Sequence, residues 1–326
     1  MKAVITGASG HLGANLIPAL LSEGAAVRVI GHRNFDAFRG LDVEILRGDV
    51  LDRPSLDAAF AGADVVYHLA AVISITGDPS GMVHRVNVEG AANAAQAALA
   101  AGVDRFVHCS SIHAFDLSTG AGTIDESSPR VPSGSMSHAA YDRSKADGER
   151  RVREVIASGL DGVIVHPTGV IGPRDLAPSR MGRFFIKLRD RKLPSLVKGG
   201  FDFVDARDVV SGMIAAAARG RKGQSYLLAG RGLSIEALAA VAEKVAGVRS
   251  PRLALPVWIA RMGLPFISGV AGIRGVEPLY TSESLNALGL TSRIDHGLAV
   301  RELGYSVRPV EETVHDIYAW LDSSHD

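Results

Sequence analysis

The 326-residue chain predicts an α/β fold, a doubly wound parallel sheet with a smaller C-terminal substrate lobe. Three observations carry that expectation. Short apolar runs alternate with helical patterns through the first half, a glycine-rich turn follows the first run, and the alternation breaks down after residue 168.

In chain order, Lys2–Thr6 reads as a first strand and His11–Ser22 as a helix leaving the glycine turn, with Gly24 breaking the chain before a strand over Ala26–Ile30. A strand over Val43–Leu46, a short helix over Pro54–Phe60 and a strand over Asp64–Leu69 follow. An Ala-rich helix spans His84–Ala101 and stops at Gly102; then come a strand over Val103–Cys109, a helix over Tyr141–Ser158 and a strand over Asp161–His166. These strands are mostly apolar instead of strictly alternating, as expected where helices cover both faces of a sheet. Ligands are then expected at the carboxyl ends of the strands.

From Gly169, prolines at 173, 178 and 194 and the pair Gly199-Gly200 divide the chain into short pieces. Helices are expected over Asp208–Ala218 and Ser234–Ala246, the latter capped by the Ser234 hydroxyl, with a strand over Ser225–Ala229 between them. The tail carries helical patterns near Ser282–Leu288, Ile294–Glu302 and Val310–Leu321. This divides the chain into a dinucleotide-binding domain at 1–168, rejoined by 204–230, and a substrate lobe made of 169–203 and 231–326.

Lysine and arginine number 35 against 35 acidic residues, and no basic tract stands out, so neither nucleic acid nor a membrane surface is an expected partner. The single cysteine, Cys109, excludes an internal disulfide and a Cys-rich metal site, and no metal is expected. MKAVITGASG lacks the pattern of a secretory signal, and no apolar stretch reaches bilayer length, so a cytoplasmic location is expected.

Thr6-Gly7-Ala8-Ser9-Gly10-His11-Leu12-Gly13 sets three glycines at i, i+3 and i+6 between strand and helix. A Rossmann turn needs glycine there for the bend, for close approach of backbone to a pyrophosphate and for helix-on-strand packing, while the helix N-terminus favours the phosphates. After the second strand stands Gly31-His32-Arg33-Asn34, with no carboxylate before Asp36. Arg33 there suits a 2′-phosphate, so NADP(H) is expected as the preferred cofactor, with NAD(H) as the alternative and a solvated turn residue as the plain reading. Asp49, followed by Val50 at the end of the third strand, suits the adenine amino group, although helix capping by Asp49 or Asp52 competes. His68-Leu69-Ala70-Ala71 supplies small residues where the backbone meets the cofactor, or simply packs tightly.

Tyr141-Asp142-Arg143-Ser144-Lys145 stacks a phenol and an ammonium on one helical face. Hydride transfer to a carbonyl leaves an alkoxide that must take a proton. A tyrosine can supply it, with Lys145 as the nearby cation and as a ligand of the nicotinamide ribose. Ser111 adds a hydroxyl to the substrate oxygen, with Ser110 as the alternative donor.

With TGASGHLG, Asp49, HLAA, SSI at 110–112, YDRSK and HPTGVIGP at 166–173 in order, the chain resembles the extended short-chain dehydrogenases/reductases, the NAD-dependent epimerase/dehydratase family, and within it the dihydroflavonol 4-reductase-like branch. The resemblance covers the cofactor domain and fades over roughly the last hundred residues. It implies that Ser111 and Tyr141 face substrate, that Lys145 holds the ribose, and that Gly7, Gly10 and Gly13 hold the pyrophosphate. It implies further that Arg33 discriminates the phosphate, that Asn87 holds the active-site helix and a water, and that Pro167, Thr168 and Val170 pack on the nicotinamide. It also implies a homodimer built through helices 84–101 and 141–158. The family's dehydratases carry Thr-Asp-Glu where this chain has Ser111-Ile112-His113, which argues against elimination.

His113 lines the substrate pocket or carries a proton, or is a structural histidine; these readings stay open. His11 and His32 offer charge-assisted contacts to phosphates, or are turn residues. Arg180 or Arg183 could clamp an anionic substrate, and a solvated helix face is the competing reading. Phe201, Phe203 and Val204 read as core, as do Trp258, Phe266 and Tyr280. The expected activity is NADPH-preferring reduction of an aldehyde or ketone, or oxidation of the alcohol. A NAD-dependent sugar-nucleotide epimerase is the alternative, and a non-catalytic cofactor sensor comes third.

Overall fold

Strands buried on both faces must be covered by helices on both faces, and the order of elements achieves this. The computed structural model describes residues 1–32, 35–119, 122–262 and 293–323. The first half runs β1 (Lys2–Thr6), α1 (His11–Ser22), β2 (Ala26–Gly31), β3 (Val43–Arg47), α2 (Arg53–Phe60), β4 (Val65–His68), α3 (Met82–His84), α4 (Ala91–Ala101) and β5 (Arg105–Cys109). It continues with β6 (Thr123–Ile124), α5 (Ala140–Ala157) and β7 (Gly162–Pro167). The second half runs β8 (Gly169–Ile171), α6 (Arg180–Arg189), β9 (Leu196–Val197), β10 (Gly200–Asp205), α7 (Ala206–Arg219), β11 (Ser225–Leu228) and β12 (Arg231–Ser234). It ends with α8 (Ile235–Ala246), β13 (Ala254–Leu255), β14 (Arg293–Ile294), α9 (Gly297–Leu303) and α10 (Val310–Ser323).

Seven parallel strands form the main sheet in the order β11-β7-β5-β4-β1-β2-β3. The order reverses at β1, which pairs with both β2 and β4, so a crevice opens beyond Thr6 and His68. One face packs Leu16 and Leu20 of α1 with Val209 and Met213 of α7; the other packs the alanines of α4 with Val152 and Ile156 of α5. Central strands are buried end to end, whereas the edge strand β3 is mostly exposed. The doubly wound sheet is as the sequence predicts.

A smaller core joins Phe184, Phe185 and Leu188 of α6, Leu238 of α8, and Val314, Ile317 and Tyr318 of α10. A three-stranded sheet, β12-β10-β8, carries the chain between this core and the main sheet. Ser234 caps α8 as expected, its hydroxyl accepting the Ala237 N–H at 3.0 Å.

Three local expectations are corrected. The 84–101 pattern is not one regular helix: Arg85–Gly90 is a π-helical turn between α3 and α4. The turn, RVNVEG, lies just ahead of the alanine run, and one wider turn leading into a helix leaves no local sequence pattern to reveal it. The pattern begun at Ile294 becomes helical only at Gly297, because Arg293 and Ile294 pair with β6. Trp258 is 63% exposed, so it is no part of the lobe core. Phe266, Tyr280 and the 282–288 pattern lie outside the described residues. Among the described residues no helix is long and apolar enough to cross a membrane.

Candidate active site

The glycine turn sits at the crevice. Gly7 has φ +69°, and a Cβ there would lie 2.6 Å from the Ala70 nitrogen; at Gly13 a Cβ would lie 2.3 Å from the Ala8 oxygen. The first requirement brings β1's turn onto the His68–Ala71 loop and the second seats α1 on its own turn. Gly10 N–H bonds back to the Gly7 carbonyl at 3.0 Å. No side chain caps α1, so its first amides, at His11, Leu12 and Gly13, keep the donor capacity that a pyrophosphate requires. This backbone cradle fits a dinucleotide. The His11 imidazole is tied to the Pro173 carbonyl at 3.0 Å, so His11 serves the cradle through its backbone.

On the adenosine side, Asp49 stands after β3, its carboxylate accepting the Leu51 N–H at 2.9 Å and lying 3.7 Å from His32 Nε2. Val50, buried, packs beneath Gly90. Asp52 precedes α2 but makes no side-chain cap. Thr6 links the strand ends: its hydroxyl bonds His68 Nδ1 at 2.8 Å and accepts from Ala70 N at 3.3 Å, with Leu69 N bonded to the Thr6 carbonyl. Ala71 completes that loop, half-buried. Arg33 lies outside the described residues.

Beyond β5 the chemistry gathers. Tyr141 and Lys145 project from the first two turns of α5 toward the end of β5, with Lys145 Nζ 6.0 Å from the Tyr141 ring centroid. Lys145 is 6% exposed and donates to the Cys109 carbonyl at 3.3 Å. Burial pulls its pKa below the ordinary lysine value. Burial pushes the Tyr141 phenol well above the ordinary tyrosine range, while hydrogen bonding to the Ser111 hydroxyl and the charge of Arg180 act the other way. The sequence left Ser110 and Ser111 open. The Ser110 hydroxyl instead faces Glu149 at 3.4 Å, so Ser111 is the hydroxyl beside the phenol.

Asn87, brought inward by the π turn, brackets Val72 with bonds of 2.8 and 2.9 Å and donates to the Ser144 hydroxyl at 2.9 Å. It thereby pins the loop after β4 to the turn of α5 between Tyr141 and Lys145. After β7, Pro167 ends the strand, the Thr168 hydroxyl donates to Asp202 at 2.6 Å, and Val170 packs on the core from β8. Arg180 opens α6 and acts electrostatically on Tyr141, whereas Arg183 donates to the Pro178 carbonyl at 3.2 Å.

Three features escaped sequence reasoning. Phe201, read as core, is half-buried and stacks on His113 with ring centroids 5.9 Å apart. His113 Nδ1 in turn lies 2.9 Å from Asp142. Glu149, 1% exposed, is held by His166 at 2.7 Å, Arg130 at 3.1 Å and Arg153 at 2.8 Å, and the hydrogen bond to His166 and the two guanidinium charges keep its carboxyl well below the usual range despite burial. Glu149 stands four residues after Lys145, a spacing visible in the sequence; its partners on β7 and the 130 loop are not.

Residues 3–229 match the family model described as the NAD dependent epimerase/dehydratase family. A curated relative, sterol demethylase protein B of Methylococcus capsulatus, is 35% identical over 98% of each chain. A putative dihydroflavonol 4-reductase of Synechocystis is 27% identical, covering 98% of this chain and 94% of its own. Among solved structures, gox2253 has a TM-score of 0.83 at 28% identity over 99% of this chain and 98% of its own. The UDP-glucuronic acid 4-epimerase of Bacillus cereus, solved with NAD, has a TM-score of 0.79 at 20% identity over 99% and 100%. The similar structures solved with a named dinucleotide hold NAD, which overturns the expected NADP(H) preference.

Proposed function

The chain belongs to the NAD-dependent epimerase/dehydratase family, and on that footing we propose that it uses NAD to oxidise a secondary alcohol of a small organic or sugar-nucleotide substrate to the ketone, reversibly. The observation that carries this reading is the half-buried Tyr141 phenol at the end of β5, hydrogen-bonded to the Ser111 hydroxyl and with the buried Lys145 ammonium 6.0 Å from its ring centroid. The dinucleotide supplies the hydride acceptor.

Ser111 and Tyr141 would both bond the substrate oxygen, orienting its carbinol C–H. Tyr141 would accept the hydroxyl proton as the carbonyl forms and return it on reduction. Lys145 would favour the phenolate through its charge and bond the nicotinamide ribose. Gly7, Gly10 and Gly13 would hold the pyrophosphate through backbone, and Asn87 would hold the loop against the helix.

Two fates of the ketone remain consistent with this chemistry. Release gives a net dehydrogenase, supported by the resemblance to the dihydroflavonol 4-reductase-like branch and by the aromatic pair Phe201–His113 beside Tyr141, which suits an apolar ring. Return of hydride to the opposite face gives a sugar-nucleotide epimerase, supported by the similar solved structures. Incubation with NAD and either alicyclic alcohols or UDP-sugars separates them. Stoichiometric NADH absorbance with an alicyclic alcohol supports the dehydrogenase. Interconversion of UDP-sugars without net NADH supports the epimerase. Loss of neither activity in Tyr141→Phe would reject the common mechanism.

A further inference from the structure

Large apolar side chains reach water around β13, away from the crevice. Leu253 is 57% exposed, Trp258 63% and Met262 74%. Trp258 and Met262 stand four residues apart on the helical turn that follows Pro256, so they project from one side of it. Leu253 leads directly into β13, which pairs in parallel with β9, Leu196 opposite Ala254 and Val197 opposite Leu255. Leu196 and Val197 are buried, which anchors the strand pair to the lobe, while the apolar residues on both flanks of β13 stay outside.

The same pairing assembles positive charge in a chain whose formal net charge is zero. Residues 187–198, around β9, hold five basic residues against Asp190 alone, and residues 244–262, around β13, hold four and no acid. The nearby carboxylates are engaged: Asp190 by Lys192 at 2.8 Å, Asp322 by Arg189 at 3.7 Å, and Glu243 of α8 by Arg252 at 3.0 Å. Arg191, Lys198, Lys244 and Arg249 are exposed, with no carboxylate partner among the described residues. Arg191 keeps its guanidinium at a left-handed backbone position, φ +56°, that glycine would fill at less cost. Because the strands run parallel, Arg191 and Arg249 approach them from the same end. Lys198, whose backbone N–H bonds the Leu255 carbonyl at 2.8 Å, leaves beside the turn that carries Trp258. No one stretch of sequence holds these bases as a tract; the β9–β13 contact brings two distant stretches together.

We propose that this face of the lobe docks on the surface of an anionic lipid bilayer, with Leu253, Trp258 and Met262 entering the headgroup layer and Arg191, Lys198 and Arg249 meeting lipid phosphates. An indole, apolar in body and polar at its N–H, suits that boundary, and bases beside it are drawn to a negative surface. Exposed apolar groups ringed by unpaired bases match both halves of such a surface at once. A second copy of the chain would bring the same positive charge against this one, which disfavours self-association through the patch. Nucleic acid would use the bases and leave the apolar side chains without a partner. The contact is peripheral and needs no spanning helix. It stands independently of the chemistry at Tyr141, and one ten-residue helix, α6, about 15 Å long, joins Arg180 at the catalytic mouth to Arg189 on this side of the lobe.

The test is co-sedimentation of the full chain with phosphatidylcholine vesicles, alone or with about one third phosphatidylglycerol, at about 0.1 M salt. The wild type should bind the anionic vesicles about tenfold or more tighter than the neutral ones, and about 0.5 M salt should release it. The double variant Lys198→Glu, Arg249→Glu should bind about tenfold more weakly, and Trp258→Ser should weaken binding to a similar degree. Since all three side chains are exposed, neither variant should shift the thermal midpoint by more than about 2 °C. Bromine-labelled acyl chains should quench the fluorescence of the bound wild type but not of bound Trp258→Phe, whose one remaining indole is Trp320. Failure to bind anionic vesicles, equal binding to neutral ones, or binding undiminished in the double variant would overturn the proposal. Heparin binding that Trp258→Ser leaves intact, without preference for anionic vesicles, would overturn it in favour of a polyanion site. A dimer in light scattering that Trp258→Ser dissociates would overturn it in favour of an interface between copies.

Discussion

Lys145 reaches past the Tyr141 ring to donate a hydrogen bond from its buried ammonium to the carbonyl of Cys109, two residues before Ser111. One residue of α5 therefore fixes the strand end that presents the hydroxyl. The first prediction follows. Tyr141→Phe keeps the ring that packs against His113 and removes only the oxygen. Turnover should fall by about 10^2- to 10^4-fold, with NAD affinity changed by less than about threefold. Stopped-flow NADH absorbance and a fluorescence titration with NAD read the two quantities.

The direction of reaction should respond to pH oppositely on its two sides. Burial raises the Tyr141 pKa above the ordinary tyrosine value, so the phenol is protonated at neutral pH. Alcohol oxidation needs the phenolate as base and should rise about tenfold per pH unit from pH 6.5 to 8.5. Carbonyl reduction uses the protonated phenol and should stay level over that range. Parallel initial-rate profiles check the contrast.

Acid should unfold the protein through histidines buried in a neutral state. Burial lowers the pKa of His68 to about 3 and also lowers those of His108 and His166. Below about pH 6.5 the unfolded chain takes up protons that the native chain refuses. Each such group therefore removes up to about 1.4 kcal/mol of stability per pH unit, an effect absent at higher pH. Glu149 acts in the same direction at lower pH: its folded pKa is depressed, so protonation of the unfolded chain below the ordinary glutamate value costs further stability. Thermal unfolding from pH 8 to 5 should show Tm falling below 6.5, and His68→Gln should flatten that fall by about one proton's slope.

The glycine turn gives a steric prediction. Gly13→Ala would place a Cβ 2.3 Å from the Ala8 carbonyl oxygen, a backbone atom that cannot swing aside. A loss of about 1–3 kcal/mol is expected, together with weaker NAD binding because the turn must open. Urea unfolding and the NAD titration measure both effects.

What the sequence disclosed follows from what each signal encodes. The strands of the main sheet were legible because burial on both faces makes β4 and β7 mostly apolar up to His68 and His166, and the glycine turn because its backbone demands no side chain. The Tyr141–Lys145 pair was legible because helical spacing alone puts both on one face. The pairing of Glu149 with His166 was not, since it depends on how α5 crosses β7, which no local pattern states. Nor was the π turn at 85–90, because a single wider turn ahead of a helix changes no local sequence pattern. Phe201 looks like core in sequence for the same reason that Trp258 does: an aromatic residue signals burial but not what covers it. The cofactor preference rested on Arg33 alone, a single turn residue, and failed.

The proposed chemistry requires a dinucleotide crossing the strand ends with its nicotinamide beside Tyr141, and a crystal structure with NAD bound tests that most directly. The pyrophosphate should lie on the amides of residues 11–13, and the hydride-accepting carbon should leave room for a substrate carbon about 3–3.5 Å away, next to the Tyr141 oxygen. A nicotinamide ring turned away from α5, or a pyrophosphate seated off the glycine turn, would contradict it.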